Sequence, residues 1–262
     1  MIREKPIVRM RQVCKWHESS MVLEGIDLDI PKGSFLGLIA TNQSTESLFM
    51  RILGQHTRFD FGLLQLGGNS IKQMRLEEHK LLKQQFVLVH PYYLAPVETT
   101  VLDHVLDHHP IHAMIFGRKM HLVEMASFHL SALGLTERFD KPVNQLERDE
   151  RMLVSVVKAL MKKPELILID AQWFTLKDTY WHRMMDHLDT LVRMDNLSVI
   201  VNRWDTHTMK YLQRILAFEQ GKLIQDNVLE KIDWQTIKRL EVMRVVRSSS
   251  LIKQKFTFEV TV

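Results

Sequence analysis

A strand-loop-helix segment offers the first residues that could do chemistry. Residues 37–53 read GLIATNQSTESLFMRIL, an apolar strand followed by a polar loop and a helical pattern. Backbone N–H groups at such a junction can bind phosphates. However, the loop contains no glycine, and its one charged residue is Glu46. The segment therefore has the frame of a nucleotide pocket with a carboxylate where phosphates are expected.

A histidine-rich stretch is the second candidate. In DHVLDHHPIHAM, His104 and His108 are four residues apart and share a helix face, a spacing that can hold a transition metal ion. Pro110 interrupts that helix, and no second cluster supplies the remaining ligands. We favour surface or packing histidines over a metal ligand set and predict no metal site.

The composition indicates a soluble intracellular protein. The 262 residues are 45% apolar and 25% charged, enough for a sizeable core. The net charge of +4 is too small to predict nucleic-acid binding. The single cysteine, Cys14, excludes an internal disulfide framework and fits a reducing cytosol. No apolar stretch approaches the roughly 20 residues of a membrane helix, and the first residues lack an apolar secretion core.

The order of elements predicts an α/β fold. Alternating patterns predict antiparallel strands in PIVRMRQV and MVLEGIDLDI, and FGLLQLGG predicts a further strand. Continuous apolar runs, typical of buried parallel strands, occur in ELILID and LSVIVN. A helical stretch separates these two runs, which makes a βαβ unit. Residues 99–163 have a helical pattern, and RILAFEQGKLIQDN predicts a hairpin.

This order resembles the nucleotide-binding domain of ABC transporters over residues 6–227. The segments that carry the resemblance are MVLEGIDLDIPKGSFLGLI, FGLLQLGGNSIKQM, YYLAPVETTVLDHV, PVNQLERDERMLVSVVKALMKKPELILIDAQWFTLKD and SVIVNRWDTHTMKYLQRILAFEQGKLIQDN. The resemblance implies an ABC-type P-loop cassette, with a RecA-like core, an antiparallel β subdomain and an inserted helical subdomain. It implies a cassette over residues 1–227, a helical subdomain at about 95–163, and a basic C-terminal extension over 228–262.

The first loop departs from the family pattern of glycine-x-x-glycine-x-glycine-lysine-serine. The three glycine positions carry Ala40, Gln43 and Thr45, so we expect the loop to take another shape. Glu46 stands at the lysine position, and Ser47 at that of the metal-binding hydroxyl. Replacing attraction by repulsion at about 4 Å costs several kcal/mol at an effective dielectric near 20, which weakens ATP binding roughly a thousandfold or more.

The signature segment of the family corresponds to LERDE. Leu146 is retained, whereas Glu147, Arg148 and Asp149 stand at the positions that contact the γ-phosphate across a dimer. His90 corresponds to the glutamine that senses the γ-phosphate, with a one-residue length difference that leaves this alignment open. The resemblance thus implies a signature that cannot complete a partner's site.

Four further positions follow from the resemblance. Asp170 is retained where the family positions magnesium, and Ala171 stands at the position of the catalytic glutamate that activates water. Trp204 falls at the switch histidine. Trp16 lies near the aromatic residue that stacks on adenine. These positions imply a site without its chemical groups for hydrolysis.

We therefore predict a pseudo-ATPase, a catalytically inactive subunit with a structural or regulatory role in a membrane ABC transporter complex. No cofactor is expected, and residual binding of ATP and magnesium by Trp16, Ser47 and Asp170 is expected only with a partner. The resemblance implies a homo- or heterodimer on the cytoplasmic face of the membrane. Its partners are a membrane subunit, docked at about residues 86–125, an intact ABC ATPase, or both, and not nucleic acid.

Two alternatives remain open. One is a nucleotide-binding ATPase subunit that works in an asymmetric pair with an intact ABC ATPase. The other is a soluble scaffold or regulator unrelated to transport.

Two other features each have two interpretations. The aromatic residues Trp173, Phe174 and Trp181 could form a dimer contact or pack within their own subunit. The basic tail from Lys238 to Lys255 could meet anionic headgroups or an acidic partner, or could be a solvated helix followed by a terminal strand in FTFEVTV.

Overall fold

The computed structural model describes residues 5–17, 20–89, 98–106, 116–171 and 176–243. The described residues form two β-sheets, the helices packed against them and the connecting loops. The strands are β1 Val8–His17, β2 Ser20–Ile30, β3 Phe35–Ala40, β4 Phe61–Leu66, β5 Asn69–Ser70, β6 Phe86–Val89, β7 Leu166–Ile169, β8 Ser198–Val201, β9 Arg214–Glu219 and β10 Lys222–Val228. The α-helices include α1 Gln43–Leu53, α2 Leu76–Gln85, α3 Val101–Leu106, α4 Phe116–Ala132, α5 Arg148–Leu160, α6 Asp178–Asp195 and α7 Thr206–Met209, and residues 234–243 are also helical.

The larger sheet has six strands in the order β10-β9-β3-β8-β7-β6. Strands β9, β3, β8, β7 and β6 run parallel, and β10 is antiparallel to β9. Every residue of β3, β7 and β8 is buried, which explains their continuous apolar sequences. Because these strands are parallel, their carboxyl ends meet at one edge, where ligands of α/β proteins bind.

The smaller sheet is antiparallel, with strands in the order β2-β1-β4-β5. The pairing of β1 with β4 shifts register between Arg11 and Cys14. Gly62 lies there at φ 95°, and a Cβ atom on it would lie 2.3 Å from the Gln12 carbonyl oxygen. Only glycine fits this close approach of two backbones.

These elements confirm the predicted α/β fold, its antiparallel strands, its βαβ unit and its late hairpin. One boundary differs. In the strand-loop-helix segment of residues 37–53, the sequence predicts that the helix starts at the apolar run SLFMRIL. In the structure the helix begins earlier, at Gln43, so residues 43–46 form the first turn of α1. The boundaries of the cassette, its helical subdomain and its C-terminal extension stay predictions. Every helix among the described residues is too short or too polar to traverse a lipid bilayer.

The structure describes some of the aromatic residues and histidines that the sequence singled out. Trp181 on α6 is fully buried within its own subunit, with the Arg203 guanidinium 4.7 Å above its ring. His104 is buried on α3, with its Nε2 atom 3.5 Å from Lys158 Nζ. Trp173, Phe174, His108 and His90 lie outside the described residues, as does the tail from residue 244 onward.

A buried pair of histidines joins helices α4 and α6. His129 Nδ1 lies 2.9 Å from His187 Nε2, and both residues are at least nine-tenths buried. Such a hydrogen bond needs one neutral ring as acceptor. Burial lowers the pKa of both histidines to about 4, and repulsion from His187 contributes to the lowered pKa of His129.

The free energy of unfolding should therefore fall as the pH is lowered from 7 to 5.5, by about 2 kcal/mol. Both folded-state pKa values lie below the unfolded value of about 6.5. The unfolded chain thus takes up protons first, and this stability is present above pH 6.5 and lost toward pH 4. Urea unfolding at a series of pH values measures it. The double variant His129→Gln, His187→Gln should lose this dependence, whereas His121→Gln, an exposed histidine on α4, should keep it. A flat profile for the unmodified chain would contradict the prediction.

Candidate functional site

The candidate site lies at the carboxyl edge of the parallel strands. Strand β3 ends at Ala40 and leads into α1, while Asp170 follows β7 and Asn202 follows β8. Glu46 lies in the first turn of α1 and is only 1% exposed, and Asp170 is likewise 1% exposed. Two acidic side chains are thus buried at the edge where a phosphate is expected.

The Glu46 carboxylate bonds to the loop that precedes its own helix. Its Oε1 atom accepts the backbone N–H of Ala40 at 2.8 Å. Its position in the first turn also lets the partial positive charge of the helix N-terminus stabilise the carboxylate. Glu46 therefore serves as an internal anion in the loop.

Asn202 connects Glu46 to Asp170. Its Oδ1 atom accepts the backbone N–H of Ala171 at 2.7 Å, which fixes the orientation of the amide. Its Nδ2 atom donates to Glu46 Oε2 at 3.0 Å and to Asp170 Oδ1 at 2.9 Å. Each amide hydrogen thus reaches one carboxylate, and this shared donor offsets part of the repulsion between the two acids.

Ser47 and Asp170, the two predicted metal-binding positions, are in direct contact. The Ser47 hydroxyl donates to Asp170 Oδ2. Together with Asn202 and Glu46 they form a network that we call the Glu46 cluster, in which Ser47 is half-buried and the other three residues are buried. Its oxygen atoms are of the kind that magnesium prefers. In the folded chain, however, they are occupied by one another.

Several backbone N–H groups of the segment are also occupied. Thr41 donates to the Phe218 carbonyl at 3.2 Å, and Ala40 donates to Glu46. Asn42 caps α1, because its side chain accepts the N–H of Ser44 at 2.9 Å and its carbonyl accepts that of Thr45 at 3.0 Å.

None of residues 40–46 has a positive φ, and residues 43–46 are helical. The expectation of a loop shaped differently from a glycine cradle agrees with this geometry. A phosphate bound here would have to compete with the Glu46 carboxylate for the Ala40 N–H and the Asn202 amide.

The segment LERDE begins helix α5. Glu147 donates its N–H to Glu150 Oε2 at 3.0 Å, and Arg138 Nε donates to Glu150 Oε1 at 2.8 Å. Burial raises the pKa of Glu150, but the bonds from Arg138 and Glu147 outweigh it, so the pKa lies below its ordinary value. Asp149 is buried, with Lys177 Nζ 4.0 Å from its Oδ2 atom. The N-terminus of α5 thus carries its own carboxylates, as α1 does.

Trp16 and Trp204 each pack against elements of their own. Trp16 is 44% exposed at the end of β1, and its backbone N–H donates to Asp60 Oδ2 at 2.7 Å. The Trp204 ring packs on β3, where a Cβ atom at Gly37 would lie 3.0 Å from it. The roles assigned to Trp16, Ser47 and Asp170 stay predictions, as do those of Ala171 and Trp204.

Sequence reasoning missed Asn202. The available signal was its place as the first polar residue after the apolar strand in LSVIVN. At the carboxyl end of a parallel strand, that place is itself an indication of a site residue.

Comparison with known proteins places these features in a family context. The family model described as ABC transporter matches residues 23–172. The phosphonates import ATP-binding protein PhnC of Wolinella succinogenes is 23% identical over 86% of this chain and 84% of its own length. The lipoprotein-releasing system ATP-binding protein LolD 1 of Rhodospirillum rubrum is 26% identical over 82% of this chain and 94% of its own.

A solved structure is similar in fold. It is the dimeric, post-hydrolysis state of the ATP-binding cassette MJ0796 bound to ADP and Pi. Its TM-score is 0.70 at 20% identity, and the match covers 86% of this chain and all of that one.

These matches contradict two expectations. The prediction of a catalytically inactive protein that is not an enzyme is wrong, because the relatives are named ATP-binding proteins of import and release systems. The prediction that no cofactor is expected is wrong for the same reason, and the similar cassette structure holds ADP and Pi.

Proposed function

Because this chain belongs to the ABC transporter family, we propose that it is an ATP-binding subunit that works in an asymmetric pair with a second, intact ABC ATPase. The pair lies on the cytoplasmic face of the membrane and couples to a membrane subunit. Residues 1–227 form the cassette, with the helical subdomain at about 95–163, and residues 228–262 form a C-terminal extension. The membrane subunit docks at about residues 86–125.

One observation supports the asymmetry. The Glu46 carboxylate accepts the N–H of Ala40 and the amide of Asn202 inside the segment that would have to receive phosphates. Phosphates and this carboxylate compete for the same donors, and both are anions. A subunit built this way contributes a weaker nucleotide site than its partner, so the pair depends on the partner's site for most of its hydrolysis.

The scaffold alternative is less well supported. A scaffold unrelated to transport has no need of the polar residues at the ends of β7 and β8. Asp170 and Asn202 nevertheless form a satisfied network with Glu46 there.

The proposal predicts that a tagged chain, purified from membranes of its own organism, retains a second ABC ATPase and a membrane subunit. The complex should hydrolyse ATP at least about tenfold faster than the isolated chain, because one strong site dominates. Mass spectrometry identifies the subunits, and phosphate release measures the rate in both preparations.

Two results would contradict the asymmetric pair. One is an isolated homodimer that hydrolyses ATP as fast as the complex. The other is a complex that contains this chain as its one kind of ATP-binding subunit. A chain recovered without any membrane subunit would remove the link to transport.

A further inference from the structure

A cavity outside the Glu46 cluster has the character of a ligand site. It lies between the C-terminal end of α1, strand β4 and helix α2, with a volume of about 540 Å³. Sites for small molecules commonly have volumes of a few hundred Å³. No residue of the 40–47 segment lines it. We call it the basic pocket.

Three cations surround the basic pocket. Arg58, Lys72 and Lys83 line it, and all three are exposed. In the described part of the chain none of them forms an ion pair, and no carboxylate lines the pocket. By contrast, Lys80 on the same helix α2 pairs with Glu77 at 2.9 Å. A concave site with charges of one sign concentrates counter-ions.

The inner wall of the basic pocket is apolar. Ile52 and Leu64 form its floor as part of the core, and Ile71, which is partly buried, and Leu76, which is 80% exposed, present apolar surface to the pocket. The Phe59 ring adds an aromatic surface, with Lys72 Nζ 4.9 Å from its centroid. Apolar surface of this kind favours a ligand with an aromatic or aliphatic body.

A polar pair completes the wall. His79 Nδ1 lies 3.0 Å from Gln55 Oε1, and both residues line the pocket. The Nε2 atom of Gln55 is buried and has no hydrogen-bond partner among the described residues. A buried amide without an acceptor is costly, so a site for an acceptor group lies close to the apolar wall.

We propose that the basic pocket binds a small organic anion that has an aromatic or apolar body, such as an aryl sulfonate, carboxylate or phosphate ester. The anionic group contacts Arg58, Lys72 and Lys83. The body packs on Phe59, Ile71 and Leu76, which line the pocket and have exposed surface. A bare inorganic anion makes no use of the apolar wall, and a neutral apolar compound makes no use of the three cations. This site is separate from the proposed ATP-binding function.

Titration with the fluorescent probe 8-anilinonaphthalene-1-sulfonate tests the proposal. The full chain should bind one equivalent, and affinity should fall as salt screens the three cations. The variant Arg58→Gln, Lys72→Gln, Lys83→Gln should bind about tenfold more weakly. The matched variant Lys80→Gln, on the same helix but outside the lining, should bind as the unmodified chain does. The neutral probe N-phenyl-1-naphthylamine should bind equally to all three proteins.

The proposal would be overturned if the triple variant bound the sulfonate probe as tightly as the unmodified chain does. It would also be overturned if Lys80→Gln lost as much probe affinity as the triple variant. Displacement of the probe by an acidic peptide, but not by naphthalene sulfonate, would overturn it too. Melting temperatures of the variants exclude loss of fold as the cause. The nucleotide affinity of the triple variant should be unchanged, so this result is separate from that of the asymmetric pair.

Discussion

Replacing Glu46 by lysine and Thr45 by glycine is expected to strengthen binding of Mg-ATP by roughly a thousandfold or more. In the folded chain the Glu46 carboxylate holds the Ala40 N–H and repels phosphates. Lysine exchanges that repulsion for attraction, and glycine at position 45 frees the backbone from the first turn of α1. Titration with a fluorescent ATP analogue measures the affinity.

Two companion variants separate charge from loop shape. Glu46→Gln removes the charge at nearly constant size, so it should give a smaller gain in affinity than lysine. Glu77→Lys makes the same charge change at an exposed position on α2 and should leave the affinity within about twofold. Mg-ATP should also raise the melting temperature of the double variant more than that of the unmodified chain. A folded double variant with unchanged affinity would show that Glu46 does not limit nucleotide binding.

Much of the fold could be predicted because burial dictates its sequence pattern. Strands β7 and β8 are covered on both faces, so ELILID and LSVIVN are continuously apolar, whereas the sheet containing β1 and β2 produces alternation. The start of α1 was misplaced because the helix is capped by Asn42, and a polar TNQSTE segment has no apolar period to mark a helix.

The candidate site could be predicted only in part. Glu46 was identified as a charge reversal, but its donors are Ala40, close in sequence, and Asn202, which is 156 residues away. Such a pairing depends on parallel strands meeting at one edge, which no local pattern reports. The sequence therefore indicated repulsion and missed the network that satisfies the same carboxylate.

The prediction of an inactive protein failed for a different reason. It moved from motif residues in the first loop, the LERDE segment and the positions of Ala171 and Trp204 to the class of the whole chain. The family of the chain is shown by the family model that matches residues 23–172, and relatives such as PhnC are named as ATP-binding proteins. Motif residues determine how tightly a site binds nucleotide and how fast it reacts, and titration measures that affinity.

Asn202→Ala is expected to lower the free energy of unfolding by about 3–5 kcal/mol. The amide donates to both Glu46 and Asp170, and its removal leaves two buried carboxylates close together without their shared donor. It also removes the acceptor of the Ala171 N–H. Urea unfolding at pH 7 measures the loss, and Asn144→Ala, an exposed asparagine, should cost less than about 0.5 kcal/mol.

A double-mutant cycle with Glu46→Ala shows whether the cost comes from the two carboxylates. If Asn202 stabilises mainly by separating them, Asn202→Ala should be at least about 1 kcal/mol less costly in the Glu46→Ala background, because a single buried carboxylate then remains. Strictly additive losses would show that Asn202 acts through Asp170 and the Ala171 backbone without coupling to Glu46. In that case the Ala40 N–H and the N-terminus of α1 are the interactions that keep the Glu46 carboxylate in place, and both lie within the segment of residues 40–46.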